Sequence, residues 1–191
     1  LTMPTMAVAI DLDGYFITAK GGVSKTMNTG TTSFNAVDGS LRTLQNEDLG
    51  TGSAFGFSVG KYLTDSFRLE LEATKRTGYE YDARFVNFPT FTEKAKIETH
   101  TLFINGFYDF QPFSIRKTAI TPYLGGGVGI SKNKMGTTHE NRPAATLDGK
   151  TISQFAYKVA AGTLVDLTEN VSLDINYQYV NLGNLKSDVG V

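Results

Sequence analysis

The stretch SQFAYKVAAGTLVDLTENVSLDINYQY, residues 153–179, decides the fold of this chain. Apolar and polar residues alternate through it on both sides of a short break at residues 168–170. Successive side chains of a β-strand point to opposite faces, so the stretch predicts one long β-hairpin with an apolar face and a polar face. Each arm exceeds the ~5 to 6 residues usual for a soluble strand and reaches the ~9 to 11 residues with which a tilted strand crosses a bilayer. The hairpin therefore predicts a membrane barrel.

The composition of the 191 residues narrows the class of protein. One domain, or at most two, fits this length. No run approaches the ~18 consecutive apolar residues of a membrane helix, so a membrane-spanning structure must be built from β-strands. The net charge of −1 and the lack of a basic cluster argue against nucleic acid as a partner, and zero Cys excludes disulfides and thiolate metal sites. The N-terminus has no basic region followed by an apolar run, so we expect a mature form without a signal peptide.

Reading for period 2 and for turn residues predicts seven strands in a single barrel domain. Long polar segments alternate with tight connections at residues 63–65, 111–118 and 168–170, as in outer-membrane barrels with short periplasmic turns and long outer loops. The first of these strands would then run outward from a periplasmic N-terminus. The predicted strands span about residues 14–24, 52–62, 66–79, 96–110, 119–131, 152–167 and 171–183, and the predicted outer loops are 25–51, 80–95 and 132–151.

The alternation of apolar and polar residues gives each predicted strand two faces. In a soluble lipocalin-like barrel the apolar parity would line the interior, whereas in a membrane barrel it faces lipid. Large aromatic residues near strand ends, as in interfacial girdles, favour the membrane arrangement: Tyr15, Tyr79, Tyr81, Phe110, Tyr123, Tyr177 and Tyr179. The expected lipid-facing residues are Phe55, Phe57, Leu69, Leu71, Phe155, Tyr157, Val159, Val165, Val171, Leu173, Ile175 and Tyr177.

The opposite parity mixes charges of both signs with glycine, which suits a narrow interior where buried ions must pair. The fourth strand is ambiguous, because Phe103 and Phe107 share a parity with Thr101 and Asn105. The expected interior polar network consists of Lys20, Arg68, Glu70, Glu72, Lys158, Asp166 and Asp174.

Six motifs lie along the predicted strands: GYF at residues 14–16, KGG at 20–22, FRLELE at 67–72, NGFYDF at 105–110, TPYLGGGVGI at 121–130 and DINYQY at 174–179. In order and spacing they resemble the small outer-membrane β-barrel superfamily that includes outer-membrane protein A, opacity proteins and related surface antigens. This resemblance implies an eight-stranded antiparallel up-and-down barrel whose surface loops contact host or environment.

The C-terminus departs from the family pattern. The family ends in an eighth strand with a terminal aromatic residue, whereas this chain ends DVGV, and residues 1–13 are predicted to be too short in apolar length to replace that strand. We therefore expect the eighth strand to be missing at the C-terminus.

Sequence motifs for catalysis are lacking. Only two histidines exist: His139 lies in a polar loop, and His100 is expected near the outer rim of the fourth strand. No catalytic constellation with convincing spacing surrounds either of them. The glycines of residues 125–129 lack the Gly-Lys-Ser/Thr ending of a phosphate loop, so close packing inside the barrel explains them better. We expect no catalytic residues, no cofactor and no metal site.

Three functions remain open at this stage. The first is a non-enzymatic envelope scaffold, with outer-membrane lipids as surroundings and with loops that contact host or envelope proteins, since loops on rigid scaffolds carry function. The second is a narrow channel for small solutes, although at ~8 strands the interior is just wide enough for side chains to fill it. The third is an outer-membrane lipid-modifying enzyme.

Overall fold

A computed structural model describes residues 2–25, 31–35, 41–46, 51–85, 88–135 and 151–183. At positions 3, 31–35, 41–46, 79–85, 88–97, 135 and 151–152 it describes the backbone alone. Within these ranges, no helix is long and apolar enough to cross a membrane. The described strands are β1 (Thr2–Leu12), β2 (Tyr15–Lys25), β3 (Thr31–Asn35), β4 (Leu41–Asn46), β5 (Thr51–Thr64), β6 (Phe67–Phe85), β7 (Phe88–Asp109), β8 (Phe113–Ile115), β9 (Thr118–Met135), β10 (Thr151–Asp166) and β11 (Val171–Asn181).

Eight of these strands form a closed antiparallel barrel. Their order is β6-β5-β2-β1-β11-β10-β9-β7, and the pairing of β6 with β7 closes the ring. Closure matters because an open sheet edge in lipid would leave unpaired backbone groups, each costing several kcal/mol. The expected class, an all-β antiparallel up-and-down barrel of eight strands, is confirmed.

The expectation that the eighth strand is missing is wrong, because the N-terminal residues form it. It is β1, which pairs with β2 on one side and β11 on the other, for example Val8 with Ala19 and with Leu173. The charges of Asp11 and Asp13 suggest that residues 1–13 have too little apolar length for a spanning strand. In the structure Asp13 belongs to the turn, and Asp11 shares the parity of the buried Ala7, so neither charge interrupts the apolar outer parity. That outer parity consists of the exposed residues Met6, Val8, Ile10 and Leu12.

One end of the barrel, the short-turn rim, holds the tight connections. Asp13 and Gly14, both with positive φ (56° and 82°), form the two-residue turn between β1 and β2, and this conformation matches the twist of a hairpin. Asp65 and Ser66 join β5 to β6, where the Thr64 hydroxyl accepts hydrogen bonds from the Ser66 and Phe67 amides. Residues 110–117, which include β8 and the turn at residues 116–117, connect β7 to β9. Residues 167–170 connect β10 to β11.

The opposite end of the barrel, which we call the long-connection rim, has paired strands in two segments that were predicted to be loops. Residues 80–95 are mostly paired strand, since β6 and β7 continue from Tyr79 opposite Ile97 to Arg84 opposite Thr92. The segment 25–51 contains the hairpin of β3 and β4, and β4 joins the extended β6. Strands beyond a membrane do not need a continuous apolar face, so a search for apolar alternation misses them. The segment 132–151 lies partly in β9 and otherwise outside the described residues at 136–150.

The pairing of β1 determines the rim at which the described chain begins. Thr2 pairs with Lys25 and with Tyr179, so it lies at the long-connection rim and not at the rim of the short turns. The strand that was expected first, β2, does run from the short-turn rim to the long-connection rim.

Candidate functional site in the barrel interior

Strand β6 contributes a row of polar side chains to the barrel interior. From Arg68 to Arg76 every second residue of β6 is buried within the barrel, while the residues between them are exposed. This follows from strand alternation and from a sequence in which charged residues take one parity and apolar residues the other. The inward residues of β6 are Arg68, Glu70, Glu72, Thr74 and Arg76.

Two lysines and two glutamates form what we call the central ion cluster: Lys20, Glu70, Glu72 and Lys158. The Lys20 Nζ lies 2.6 Å from Glu70 Oε1 and 2.6 Å from Glu72 Oε2. The Lys158 Nζ lies 2.7 Å from the same Glu72 Oε2. These side chains reach across the interior from β2, β6 and β10, and their side chains are at most 7% exposed.

Neutral side chains complete the hydrogen bonding of the cluster. Ser58 Oγ donates to Glu70 Oε2 (2.9 Å), Asn105 Nδ2 donates to Glu70 Oε1 (2.8 Å), and Thr74 Oγ1 donates to Glu72 Oε1 (3.0 Å). Burying ions is unfavourable unless they are both paired and hydrogen-bonded. Here the two positive and two negative groups balance, and each carboxylate oxygen of the two glutamates accepts at least one hydrogen bond.

A second polar group lies nearer the short-turn rim, and we call it the Arg68 group: Arg68, Asp109, Tyr123 and Asp174. Arg68 Nε donates to both carboxylate oxygens of Asp109 at 3.0 Å. Its guanidinium carbon lies 4.4 Å from the centre of the Phe107 ring and 4.5 Å from that of Tyr123, distances at which cation and ring attract. Tyr123 in turn donates from its hydroxyl to Asp174 Oδ1 at 2.7 Å.

Two residues do not lie where the sequence argument placed them. Asp166, expected in the interior network, is exposed at the short-turn end of β10 and accepts a hydrogen bond from Ser172 Oγ at 2.7 Å. The strand ends there, so its inward parity opens to the rim, where Asp166 lines the mouth of a cavity that Arg68 also lines. Tyr123, expected in an interfacial girdle, is buried within the Arg68 group. Of the other six expected network residues, five are buried and the sixth, Lys20, has a side chain that is 7% exposed; four of the six meet in the central ion cluster.

Sequence reasoning missed Asn105 and Asp109 as members of these groups. A signal for them existed in β7, where Phe103 and Phe107 share their parity with polar residues. The structure buries that parity from Thr99 to Asp109 and exposes Leu102 and Ile104, which settles the faces of this part of the strand. Glycines on β9 make this possible: a Cβ at Gly127 would collide with the Asn105 side chain, and one at Gly125 with the Phe107 ring.

A cavity of about 260 Å³ opens beside the Arg68 group, and Arg68, Asp109 and Asp174 are among its lining residues. Several further carboxylates also line it, including those of Asp11 and Asp65. Within the part of the chain that the structure describes, no group of three or more histidines and carboxylates is arranged to hold a metal ion. His100 is exposed on the outer surface of β7, and His139 lies outside the described residues.

The outer surface of the barrel carries the residues expected to face lipid. Nine of the twelve are exposed, and Val165, Val171 and Leu173 are partly covered by their neighbours. The exposed nine are Phe55, Phe57, Leu69, Leu71, Phe155, Tyr157, Val159, Ile175 and Tyr177.

Comparisons with known proteins agree with this architecture. A family described as outer membrane protein beta-barrel domain matches residues 3–190. The outer membrane protein PagN of Salmonella typhimurium is 29% identical over 203 residues, covering 97% of this chain and 81% of PagN. An uncharacterized protein of Brucella abortus is 32% identical over 79% of this chain, which spans 57% of that protein. A Rickettsia rickettsii protein with "adhesin" in its name is 24% identical over 68% of this chain and 58% of its own length.

No solved structure matches the chain. The family match, in contrast, extends over nearly all of it and over every strand of the closed barrel. The chain belongs to the outer membrane protein beta-barrel domain family.

Proposed function

We propose that this chain is a non-enzymatic scaffold of the bacterial outer membrane that presents its long-connection rim outward for interaction or adhesion. The observation that carries the proposal is the asymmetry of the barrel. At one rim the barrel strands are joined by two to eight residues, whereas at the other rim β6 and β7 continue past the barrel as a pair and β6 also pairs with β4 of the β3–β4 hairpin. Long connections on a rigid barrel are a common place for binding function.

The contacts in the barrel interior favour a scaffold function and argue against a solute channel. The central ion cluster joins side chains from three separated strands across the lumen, and the Arg68 group occupies the interior next to it. Opening a path would require separating ions that are paired at 2.6 to 2.7 Å. We therefore propose a closed interior. The expected result in planar bilayers is no stable single-channel opening, and regular openings would favour the solute channel.

The names of the relatives give independent support. PagN is an outer membrane protein, and the Rickettsia rickettsii relative bears an adhesin name. We transfer from these names only the class of activity, contact with surfaces outside the cell. The orientation follows from it, with the long-connection rim outward and the short-turn rim toward the periplasm. No residue in the two interior groups has a role in this activity other than holding the barrel rigid.

The register of the strands allows a sharp test by removal of the long connections. Lys25 pairs with Thr51 and Lys134 pairs with Thr151, so Asn-Gly can replace residues 26–50 and residues 135–150 as two-residue hairpin turns. In the same way Asn-Gly can replace residues 78–97. The barrel pairing remains intact in this shortened chain.

We expect the shortened chain to fold as a barrel, with its heat-dependent gel mobility retained, but to lose binding of whole cells to host cell surfaces. A matched control replaces residues 168–170 at the short-turn rim with Asn-Gly, which keeps Asp166 opposite Ser172, and should leave binding unchanged. Full binding by the shortened chain would contradict the adhesion proposal. Proteolysis should also cleave the long connections from outside intact cells, and cleavage only after the periplasm is opened would contradict the orientation.

A further inference from the structure

The outer surface of three adjacent strands, β6, β7 and β9, changes from uncharged to charged residues at one height along the barrel. Starting near the short-turn rim, Phe67, Tyr108 and Leu124 lie side by side across the three strands. From this level upward every outward residue on these strands is uncharged, up to the level of Ala73, Leu102 and Ile130. This uncharged surface is part of the band that we assign to lipid.

The next level holds three basic residues, which we call the basic row: Lys75, His100 and Lys132. Lys75 pairs with His100, and His100 pairs with Lys132, so the three lie side by side on neighbouring strands. All three are exposed. One level farther along the strands Glu98 pairs with Lys134, and Glu98 Oε1 lies 3.7 Å from Lys75 Nζ.

The distance between these levels places the basic row at a membrane boundary. Eight residues separate Phe67 from Lys75, and the same number separates Leu124 from Lys132. At about 3.4 Å per residue and a tilt of about 40°, eight residues span about 20 Å along the barrel axis. The apolar band of outer-membrane barrels is about 25 Å tall, so a row about 20 Å from one edge lies close to the other edge.

We propose that the basic row binds the phosphate of a lipid headgroup in the leaflet beside the long-connection rim. Neighbouring strands are about 4.8 Å apart, so Lys75 and Lys132 flank His100 within about 10 Å, a span that one phosphorylated glycolipid headgroup covers. Lysine is an effective point charge for phosphate. The same lipid molecule would lay its acyl chains against Leu102, Ile104 and Ile130, directly below the row.

This continuity with the apolar surface favours a lipid over a free anion. A free phosphate ion would gain the charge attraction alone, in water and at exposed side chains, where single ion pairs contribute little. A lipid is already held at this height by its chains, and its phosphate meets the row without a further loss of translational freedom. The inference rests on the orientation in the proposed function, because lipids with phosphorylated glycan headgroups occupy the outward leaflet.

The test measures lipid binding by the full chain inserted in phosphatidylcholine nanodiscs. The probe is lipid A, with dephosphorylated lipid A as a matched probe of identical acyl chains and inorganic phosphate as the soluble competitor. The test variant is K75Q/K132Q. The control variant is K61Q/K117Q, which removes two exposed lysines from the short-turn half of the barrel.

We expect lipid A to bind more tightly than its dephosphorylated form, and K75Q/K132Q to weaken this binding about twenty-fivefold, since each lysine near an anionic lipid surface contributes about a fivefold factor. The control variant should bind as the unmodified chain does, and inorganic phosphate should not compete. Equal binding by K75Q/K132Q would overturn the proposal, and so would competition by inorganic phosphate, which would indicate a free-anion site.

The two proposals fail in distinguishable ways. The shortened chain described above keeps the whole basic row, so it should bind lipid A normally even though it no longer binds host cell surfaces. A chain that inserts in nanodiscs but does not distinguish the two lipid probes contradicts only the lipid site. A chain that fails to insert contradicts the membrane barrel and the lipid site together.

Discussion

At the scale of single residues, Glu72 is the centre of the interior. One of its carboxylate oxygens meets both Lys20 and Lys158, and the other accepts a hydrogen bond from Thr74. Lys20 has a second partner in Glu70, but Glu72 is the one ion-pair partner of Lys158 among the described residues. The loss of Glu72 would therefore leave Lys158 buried without a counter-ion.

We expect Glu72→Gln to lower the free energy of unfolding by about 3 kcal/mol, because removal of one partner of a buried pair strands the other charge. Equilibrium unfolding in denaturant, with the chain reconstituted in lipid vesicles, measures this change. The control Glu169→Gln removes an exposed carboxylate at the short-turn rim and should change stability by less than about 0.5 kcal/mol.

A second variant distinguishes a stranded charge from a lost contact. Adding Lys158→Met to Glu72→Gln removes the unpaired ammonium group and should restore part of the stability, since replacing a buried ion pair with neutral groups is often tolerated. If Glu72→Gln leaves stability unchanged, the cluster is solvated and not the closed network described here.

The residue scale also shows what alternation can and cannot predict. Parity alone placed Lys20, Glu70, Glu72 and Lys158 inside, because charged residues in a membrane barrel have no other favourable location. Parity gives a face and not a partner, so the contact of Lys20 with β6 depends on barrel closure and could not be derived. Tyr123 was misassigned because its aromatic ring suggested an interface, while its parity with Gly125 correctly indicated the interior.

At the scale of elements, the strands that cross the apolar band were the predictable ones. Strand β10 was expected at residues 152–167 and is found at Thr151–Asp166. Outside the band the signal is lost, as in β6, where a bulge with Gly78 at φ +90° precedes the paired extension to Phe85. The hydrogen-bond ladder continues there without any requirement for an apolar face, which explains why the sequence argument ended this strand early.

The outward face of the hairpin formed by β10 and β11 is expected to contact lipid. Val159 and Ile175 are exposed on the outer surface, on adjacent strands that are paired along most of their length. We expect Val159→Arg or Ile175→Arg to lower barrel stability in bilayers by about 2 to 4 kcal/mol, since the charge would have to leave water.

Unfolding of the reconstituted chain measures this cost, and Leu167→Arg is the matched control. Leu167 is also exposed and apolar but lies at the short-turn rim, where arginine should cost at most about 1 kcal/mol. Equal costs at all three positions would mean that the exposed apolar face is not in contact with lipid, as in a soluble barrel.

At the scale of the whole molecule, closure determines every other property. The interior ion cluster needs walls on all sides, and the outer apolar face needs a bilayer around it. The family resemblance predicts eight strands, whereas the alternation pattern indicates seven, because the charged end of β1 hides its apolar parity. The pairing of β1 with β11 joins residues that are far apart in sequence, such as Val8 and Leu173, so local patterns could not reveal it.

The absence of cysteine from the sequence makes this closure directly testable. Paired residues on adjacent strands have Cβ atoms about 5 Å apart, so Val8→Cys with Leu173→Cys should be joined by a short thiol cross-linker in membranes. The cross-linked chain contains a very large loop and should migrate faster on denaturing gels. Val8→Cys with Ala19→Cys, within the β1–β2 hairpin, should react whether or not the barrel closes. Val8→Cys with Tyr177→Cys, about 13 Å out of register, should not react. Reaction of the hairpin pair without reaction of the Val8 and Leu173 pair would show that β1 does not close the barrel.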